Sequence, residues 1–341
     1  MNVSLLISPA IRAGLLGAAA LLTGFGAAAQ TAPVAPRSRT FVLTSTATVP
    51  VPPAGTQALD LWLPVPHADA SQDVRALKID SPVPYKIEQG AFGNQMLHLR
   101  VAPAPTAPLV VRLTAQITRR EHLNLRANAP TAKFKKEKAD PDLARWLAPD
   151  RLVPLDPQIR QQAEAVVAQA HATTPMEKAR AIYAHVVSTV TYDKTGQGWG
   201  RGDIYYACDA RRGNCTDFHA IVVGYCRALG IPARFSIGLP LPAQRGKGEI
   251  KGYHCWAECY TPEAGWVPID ASEAAKNPDK RAYFFGAHDE NRVEFTRGRD
   301  MVLAPKQAGP PLNYFVYPYA EADGQPLEVG RVYEFADVSA Q

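Results

Sequence analysis

The sequence predicts an α+β protein with an antiparallel β-sandwich at its N-terminal end, and three observations carry that expectation. Residues 40–118 alternate apolar and polar side chains with a period of two and hold no convincing helical stripe. Residues 157–229 instead carry apolar stripes at helical spacing behind legible start signals, and a hairpin pattern follows at 253–270. The length of 341 residues and the 46% hydrophobic content are enough for two packed domains and exclude a disordered chain.

Residues 1–29 stand apart from the fold. Arg12 precedes an apolar Ala/Leu-rich run through Leu22, followed by Ala27, Ala28 and Ala29 before Gln30, which reads as a secretory signal cleaved near Ala29. Gly24 and Gly26 interrupt the run short of the roughly 20 apolar residues that a membrane span needs. No later segment is expected to cross a bilayer, so the location expected is periplasmic or secreted. Residues 30–39 are Pro-rich and expected to be a flexible leader.

Strands are expected at Phe41 to Thr48, Leu59 to Leu63, Leu77 to Asp80, Met96 to Val101 and Leu109 to Thr118, separated by Pro- and Gly-containing turns. In the last of these, Leu109, Val111, Leu113, Ala115 and Ile117 form the core face. Such a series without helices makes a β-sandwich over 40–122. Residues 123–157 follow as a connector. Part of the formal charge of +5 gathers there in Lys133, Lys135, Lys136 and Lys138. Such runs mark solvated segments more often than anionic-polymer sites, and no recognition motif accompanies this one, so nucleic acid is not an expected partner.

Residues 158–341 are expected to form the second, α+β domain. Asp156-Pro157 starts a helix with the stripe Ile159, Ala163, Val166, Val167 and Ala170. Thr174, Pro175 and Glu177 supply an N-cap, a first-turn proline and a capping-box acid for a second helix. Asn214 caps a third helix that begins at Cys215 and ends at Gly230 and Pro232. Tyr253 to Tyr260 and Trp266 to Asp270 read as strands joined by the turn Thr261 to Gly265.

A thiolate at a helix start is stabilised by free backbone N–H groups and the positive end of the dipole, so Cys215 is placed for reactivity. A hairpin turning near Pro262 would set His254 opposite Asp270, close enough for the carboxylate to orient an imidazole base. A one-residue slip would break that pairing.

The segments GNCTDFHAIVVGYCRALGIPARF (213–235) and YHCWAECYTPEAGWVPIDAS (253–272) resemble the core of the transglutaminase-like superfamily in its bacterial forms. The shared pattern is Gly-x-Cys on a helix, an Arg-Ala-Leu-Gly-Ile-Pro-Ala-Arg exit, His-x-Trp-x-Glu on one strand and Gly-Trp-x-x-x-Asp on the next. The resemblance covers roughly residues 175–272, and the β-rich region before it resembles the N-terminal domain of some bacterial members. It implies a papain-like catalytic domain with Cys215 as nucleophile, His254 as general base and then acid, and Asp270 holding the imidazole. It implies, in turn, a protease, an amidase or a transglutaminase working through a thioester on a peptide or protein substrate. Water would be the acceptor for hydrolysis, and lysine or another amine for transfer. Cys255 departs from the small residue, such as Ala, that often stands between the His and the Trp. The alternative implied is a catalytically inactive binding or assembly module of the cell envelope on the same fold.

Other residues compete for roles. His219 shares a helical face with Cys215 and is a rival base or metal ligand, with packing as the plainer expectation. Asp217 complements the helix dipole. Tyr205 and Tyr206 either line the acyl site or simply pack. The five cysteines, at 208, 215, 226, 255 and 259, leave one unpaired. Cys255 and Cys259 are about 13 Å apart along a strand, too far to bond each other, so either could pair with Cys208 or Cys226. Cys208, Cys215, His254 and Cys255 lack zinc-site spacing, and no EF-hand-like loop occurs, so neither a metal nor another cofactor is expected. Residues 283–319, rich in aromatics and turn formers, are expected to finish the catalytic domain or cover its cleft.

Overall fold

The chain begins with β1 (Ser38–Val49), β2 (Leu59–Val65), β3 (Gln72–Asp80), β4 (Lys86–Gln89), β5 (Gln95–Val101), β6 (Leu109–Arg120) and the short β7 (His122–Leu123). There follow α1 (Pro157–Gln169), α2 (Pro175–Thr189), β8 (Thr191–Tyr192), α3 (Ile204–Ala210), β9 (Arg212–Gly213) and α4 (Cys215–Ala228). Next come β10 (Ala233–Pro240), β11 (Lys247–Glu249), β12 (His254–Thr261), β13 (Gly265–Ile269), α5 (Ala271–Lys276), β14 (Ala287–His288) and β15 (Arg292–Arg297). The last are β16 (Tyr319–Ala322), β17 (Gln325–Leu327) and β18 (Gly330–Asp337). This computed structural model describes residues 35–128 and 142–338. The signal segment with its cleavage point near Ala29, and Lys133, Lys135, Lys136 and Lys138, lie outside them.

Two antiparallel sheets, ordered β11-β18-β1-β6-β3 and β17-β16-β2-β5-β4, make the β-rich layers. Phe41, Leu43, Ala47 and Val49 of β1 join Leu59, Leu61 and Leu63 of β2 and Leu97 and Leu99 of β5 in one buried cluster. The period-two pattern thus becomes a sandwich core, each such aliphatic side chain contributing about 1.5–3 kcal/mol on burial. Strand β3 starts at Gln72, earlier than expected. A register shift between Arg75 and Lys78, with Ala76 at φ 50°, breaks the alternation and left only its second half legible.

The expected domain boundaries need correction at two places. Strand β18 lies between β11 and β1, and β16 pairs with β2, so the chain's last strands return to the sandwich instead of ending in the second, α+β region. Buried Arg39 fastens this closure, its Nε and Nη2 donating to the two oxygens of Asp337 at 2.7 and 2.8 Å. Residues 38 and 39, assigned to a flexible leader, therefore belong to β1. The described residues from Pro36 onward form one compact unit.

The remaining sheet, ordered β13-β12-β10-β15, carries α4 against β12 and β10. Helices α1, α2, α3 and α5 pack around α4, all of whose residues are buried. Motif residues other than Cys215, His254 and Asp270 hold this arrangement. Arg234 and Glu258 face each other on β10 and β12 and bond through both carboxylate oxygens at 2.6 and 3.0 Å. Arg227 donates from Nε to the Ala233 carbonyl at 2.9 Å, fixing the turn between α4 and β10.

Gly238 pairs with His254 across β10 and β12, and a Cβ there would lie 1.8 Å from the Val293 carbonyl oxygen. That neighbour is backbone and cannot swing away. Gly238→Ala is expected to cost at least about 3 kcal/mol, because β10 and β15 must part. Urea denaturation checks this, and a loss below about 1 kcal/mol would contradict the packing argument.

Candidate active site

Local sequence determines where Cys215 stands. Asn214 Oδ1 accepts the Thr216 N–H at 2.9 Å, and Asp217 reaches back to the Asn214 N–H at 2.9 Å, so a capping box starts α4 with Cys215 as its first residue. The Gly in Gly-x-Cys has a steric cause, since a Cβ on Gly213 would sit 2.2 Å from an Asp217 carboxylate oxygen. Asp217 also accepts the N–H groups of Gly200 and Gly202 at 2.7 and 3.1 Å, pinning the glycine-rich segment before α3 to the helix start.

His254 opens β12 and Asp270 is the N-cap of α5. The hairpin turns about Glu263, with Thr261 paired to Gly265 and Ala257 to Ile269. The expected direct opposition of His254 and Asp270 is therefore wrong by two residues. An even offset preserves the face, and a diagonal pair of long polar side chains still meets. His254 Nε2 lies 2.7 Å from Asp270 Oδ2. This leaves the other ring nitrogen, Nδ1, for the hydrogen bond between His254 and Cys215.

The charges follow from burial and partners. Burial alone would push His254 down, but the charge and hydrogen bond of Asp270, and then Cys215, lift it to about 10. Burial raises Cys215, yet hydrogen bonds from Cys255 and His254 and the charge of His254 hold it well below the usual thiol range. Asp270 is likewise held well below the carboxylate range. Its burial is outweighed by His254 and Arg292. The favoured state is a thiolate beside an imidazolium.

His219 is fully buried and bridges the site. Its Nδ1 is 2.7 Å from the Cys215 carbonyl oxygen, and its Nε2 accepts the Ala271 N–H at 3.2 Å. The second bond places the ring proton on Nδ1, which donates to Cys215. Burial lowers its pKa and keeps it neutral. His219 thus spaces Cys215 from the start of α5, and both ring nitrogens are engaged by backbone.

Tyr205 points elsewhere, bonding Asp156 at the start of α1. The Tyr206 ring packs on Gly198. Cys208 contacts the Tyr225 hydroxyl at 3.4 Å. Cys255 reaches Cys215, and Cys259 reaches Cys226.

The strongest contributor missing from the sequence argument is Arg292, on the edge strand β15. It is 1% exposed, donates from Nη1 to Asp270 Oδ2 at 2.9 Å and from Nε to Asp289 at 3.2 Å, and lies over the Trp256 ring at 4.8 Å. A charged residue alternating with Val293 and Phe295 was its one visible signal. Two further residues come from the loop 298–314. Arg299 donates to the carbonyls of Gly202 and Arg201, and the Tyr314 hydroxyl to that of Gly200. The expected cover of the cleft thus meets the glycine-rich segment. Cys215 is 1% and His254 5% exposed.

Residues 160–271 match the family model of the transglutaminase-like superfamily. An uncharacterized protein of Haemophilus influenzae is 27% identical over 322 residues, covering 84% of this chain and 87% of its own length. The uncharacterized protein YebA of Bacillus subtilis is 30% identical over 79 residues, which are 20% of this chain and 11% of YebA. Among solved structures, a candidate cysteine protease from Cytophaga hutchinsonii superposes with a TM-score of 0.57 at 17% identity, covering 89% of this chain and 92% of that one. At that identity the likeness concerns the fold. The family match falls on the segment that carries Cys215, His254 and Asp270, so residues 160–271 form a transglutaminase-like domain.

Proposed function

We propose that the protein is a thiol-dependent enzyme acting on a peptide or glutamine-type amide, with Cys215 as nucleophile, His254 as proton carrier and Asp270 as its orienter. The observation that carries this reading is the buried chain of contacts from Cys215 through His254 to Asp270, at the start of a capped helix. The Cys215 thiolate attacks the amide carbonyl. Capping already occupies the N–H groups of Thr216, Asp217 and Phe218, which leaves that of Cys215 to face the developing oxyanion. The His254 imidazolium then gives its proton to the leaving amine, and a thioester forms. Water or an amine such as lysine releases the acyl group, with His254 taking a proton from either. The Arg12 to Ala29 signal pattern supports action in the periplasm or outside the cell.

The closure of Cys215 favours a second reading, an inactive binding module of the cell envelope. Alkylation separates the two. An ordinary thiol of pKa about 8.5 is about 0.3% thiolate at pH 6. Full ionisation gains a few hundredfold, and the lower intrinsic nucleophilicity of an acidic thiol returns part of that. Iodoacetamide at pH 6 is expected to label Cys215 on the order of tenfold faster than an ordinary thiol, and His254→Ala to abolish the excess. Peptide mass mapping reads both rates. Slow labelling in both proteins would favour the inactive module. Ammonia release from glutamine peptides, with and without a fluorescent amine, then distinguishes hydrolysis from transfer.

A further inference from the structure

Cys255 is a second thiol at the site, held protonated by burial and by the neighbouring Cys215, for which acyl transfer has no use. It is fully buried on β12, between His254 and Trp256, and successive strand residues face opposite ways. Its side chain therefore turns to α4 and comes within hydrogen-bond reach of the Cys215 sulfur. Its own sulfur lies 3.6 Å from His219 Nδ1, the nitrogen that also meets the Cys215 carbonyl. Helix and strand carry the two thiols on packed, rigid elements. The same interface brings Cys226 to Cys259. Eleven helical residues advance about 16 Å and four strand residues about 13 Å, so one alignment of α4 along β12 accounts for both contacts.

We infer that Cys215 and Cys255 form a reversible disulfide under oxidising conditions, with Cys215 the thiol that meets the oxidant and Cys255 the thiol that resolves it. The inference rests on the proposed reading in one respect, that Cys215 is the reactive thiolate. With a peroxide as oxidant, the Cys215 sulfur attacks the O–O bond. A sulfur–oxygen bond forms, hydroxide leaves and picks up a proton, and Cys215 becomes a sulfenic acid. The Cys255 sulfur then attacks Cys215, its proton passing to the departing hydroxyl, and the S–S bond forms with loss of water. Two thiols and one peroxide thus yield one disulfide and two waters. A dithiol reverses the reaction by exchange at the Cys215 sulfur. While it lasts, the bond removes the nucleophile and halts oxidation short of the irreversible sulfinic acid. Both sulfurs are buried, and they differ in that Cys215 lies beside His254 as the thiolate while burial and the neighbouring Cys215 keep Cys255 protonated, so the route through Cys215 sets the order of events.

The test uses the purified mature protein treated with hydrogen peroxide, alkylated, and digested with trypsin and chymotrypsin. Cleavage after Phe218 and Trp256 separates Cys215 from Cys226 and Cys255 from Cys259. The expected result is a peptide linking Cys215 to Cys255, abolished by dithiothreitol with nearly full return of Cys215 alkylation. In Cys255→Ala, and in Cys255→Ser should the first fail to fold, the same dose is expected to leave Cys215 as sulfinic acid that dithiothreitol does not recover. Sulfinic Cys215 in the unaltered protein without the linked peptide would overturn the inference, as would a link confined to Cys226 and Cys259. The crosslink is read without any amide turnover, so protein that forms it yet cleaves no amide counts against the acyl-transfer reading alone.

Discussion

Arg292→Met is expected to lower the free energy of unfolding by about 3–5 kcal/mol, the cost of breaking a buried ion pair from one side. Arg292 lies between Asp270 and Asp289, and its removal strands the fully buried Asp270 carboxylate beside a second carboxylate that is only partly exposed. Methionine restores much of the volume over Trp256 but none of the charge. The pH dependence carries a definite sign. Asp270 is depressed in the folded state, so it stabilises the fold above its unfolded pKa of about 3.9 and loses that contribution as pH falls through the lower, folded value. Without Arg292 the folded value rises, and the acid arm of the stability curve moves to higher pH. Urea midpoints measured from pH 3 to 7 read both effects. A change under about 1 kcal/mol at pH 7 would remove Arg292 from the account of the site.

Asp270→Asn is expected to reduce amide turnover by about 10³-fold or more, a loss comparable to that seen when an orienting carboxylate is replaced in serine proteases. The reason lies in what each oxygen accepts. Oδ2 takes His254 Nε2 and Arg292 Nη1, while Oδ1 takes the Ser272 hydroxyl and the Glu273 N–H at 3.2 and 3.0 Å. An amide has one oxygen, so whichever way it turns, a donor faces a donor in a buried site. The charge that lifts His254 to about 10 disappears as well, and burial then drives the ring below its ordinary 6.5. The thiolate–imidazolium pair, present in the unaltered protein through neutral pH and lost as pH rises toward 10, should be lost already at neutral pH in the variant. Its alkylation profile should shift accordingly, with Cys215 labelling at pH 6 falling to that of an ordinary thiol. Turnover within about tenfold of the unaltered protein would sink the orienting role of Asp270.

Much of the fold was legible because its signals are local. The alternation from Leu109 to Ile117 marks β6, and the Thr174, Pro175 and Glu177 triplet marks the start of α2. Asn214 with Gly230 and Pro232 brackets α4. Elements without such signals were missed. Helix α5 is six residues long and starts on a residue whose other oxygen serves His254, and β18 is mostly exposed along its length. The hairpin register erred because the turn centre was placed on Pro262. The inferred contact survived because a two-residue offset keeps both side chains on one face.

By itself, then, the sequence determined the α+β class, the sandwich strands, the capped helix beginning at Cys215 and the residue types at the candidate site. Caps and periodicities act between residues a few positions apart, and those interactions are written in order along the chain. Only the tertiary structure decided that β18 closes the sandwich beside β1, that Arg292 holds Asp270, that His219 spaces the helix from α5, and that Cys255 meets Cys215. Each of these joins groups from separate elements, and in the closure of the sandwich the bonded side chains of Arg39 and Asp337 are 298 positions apart. Such pairings are selected by packing and by the need to neutralise charge out of water, and neither acts until the layers have come together.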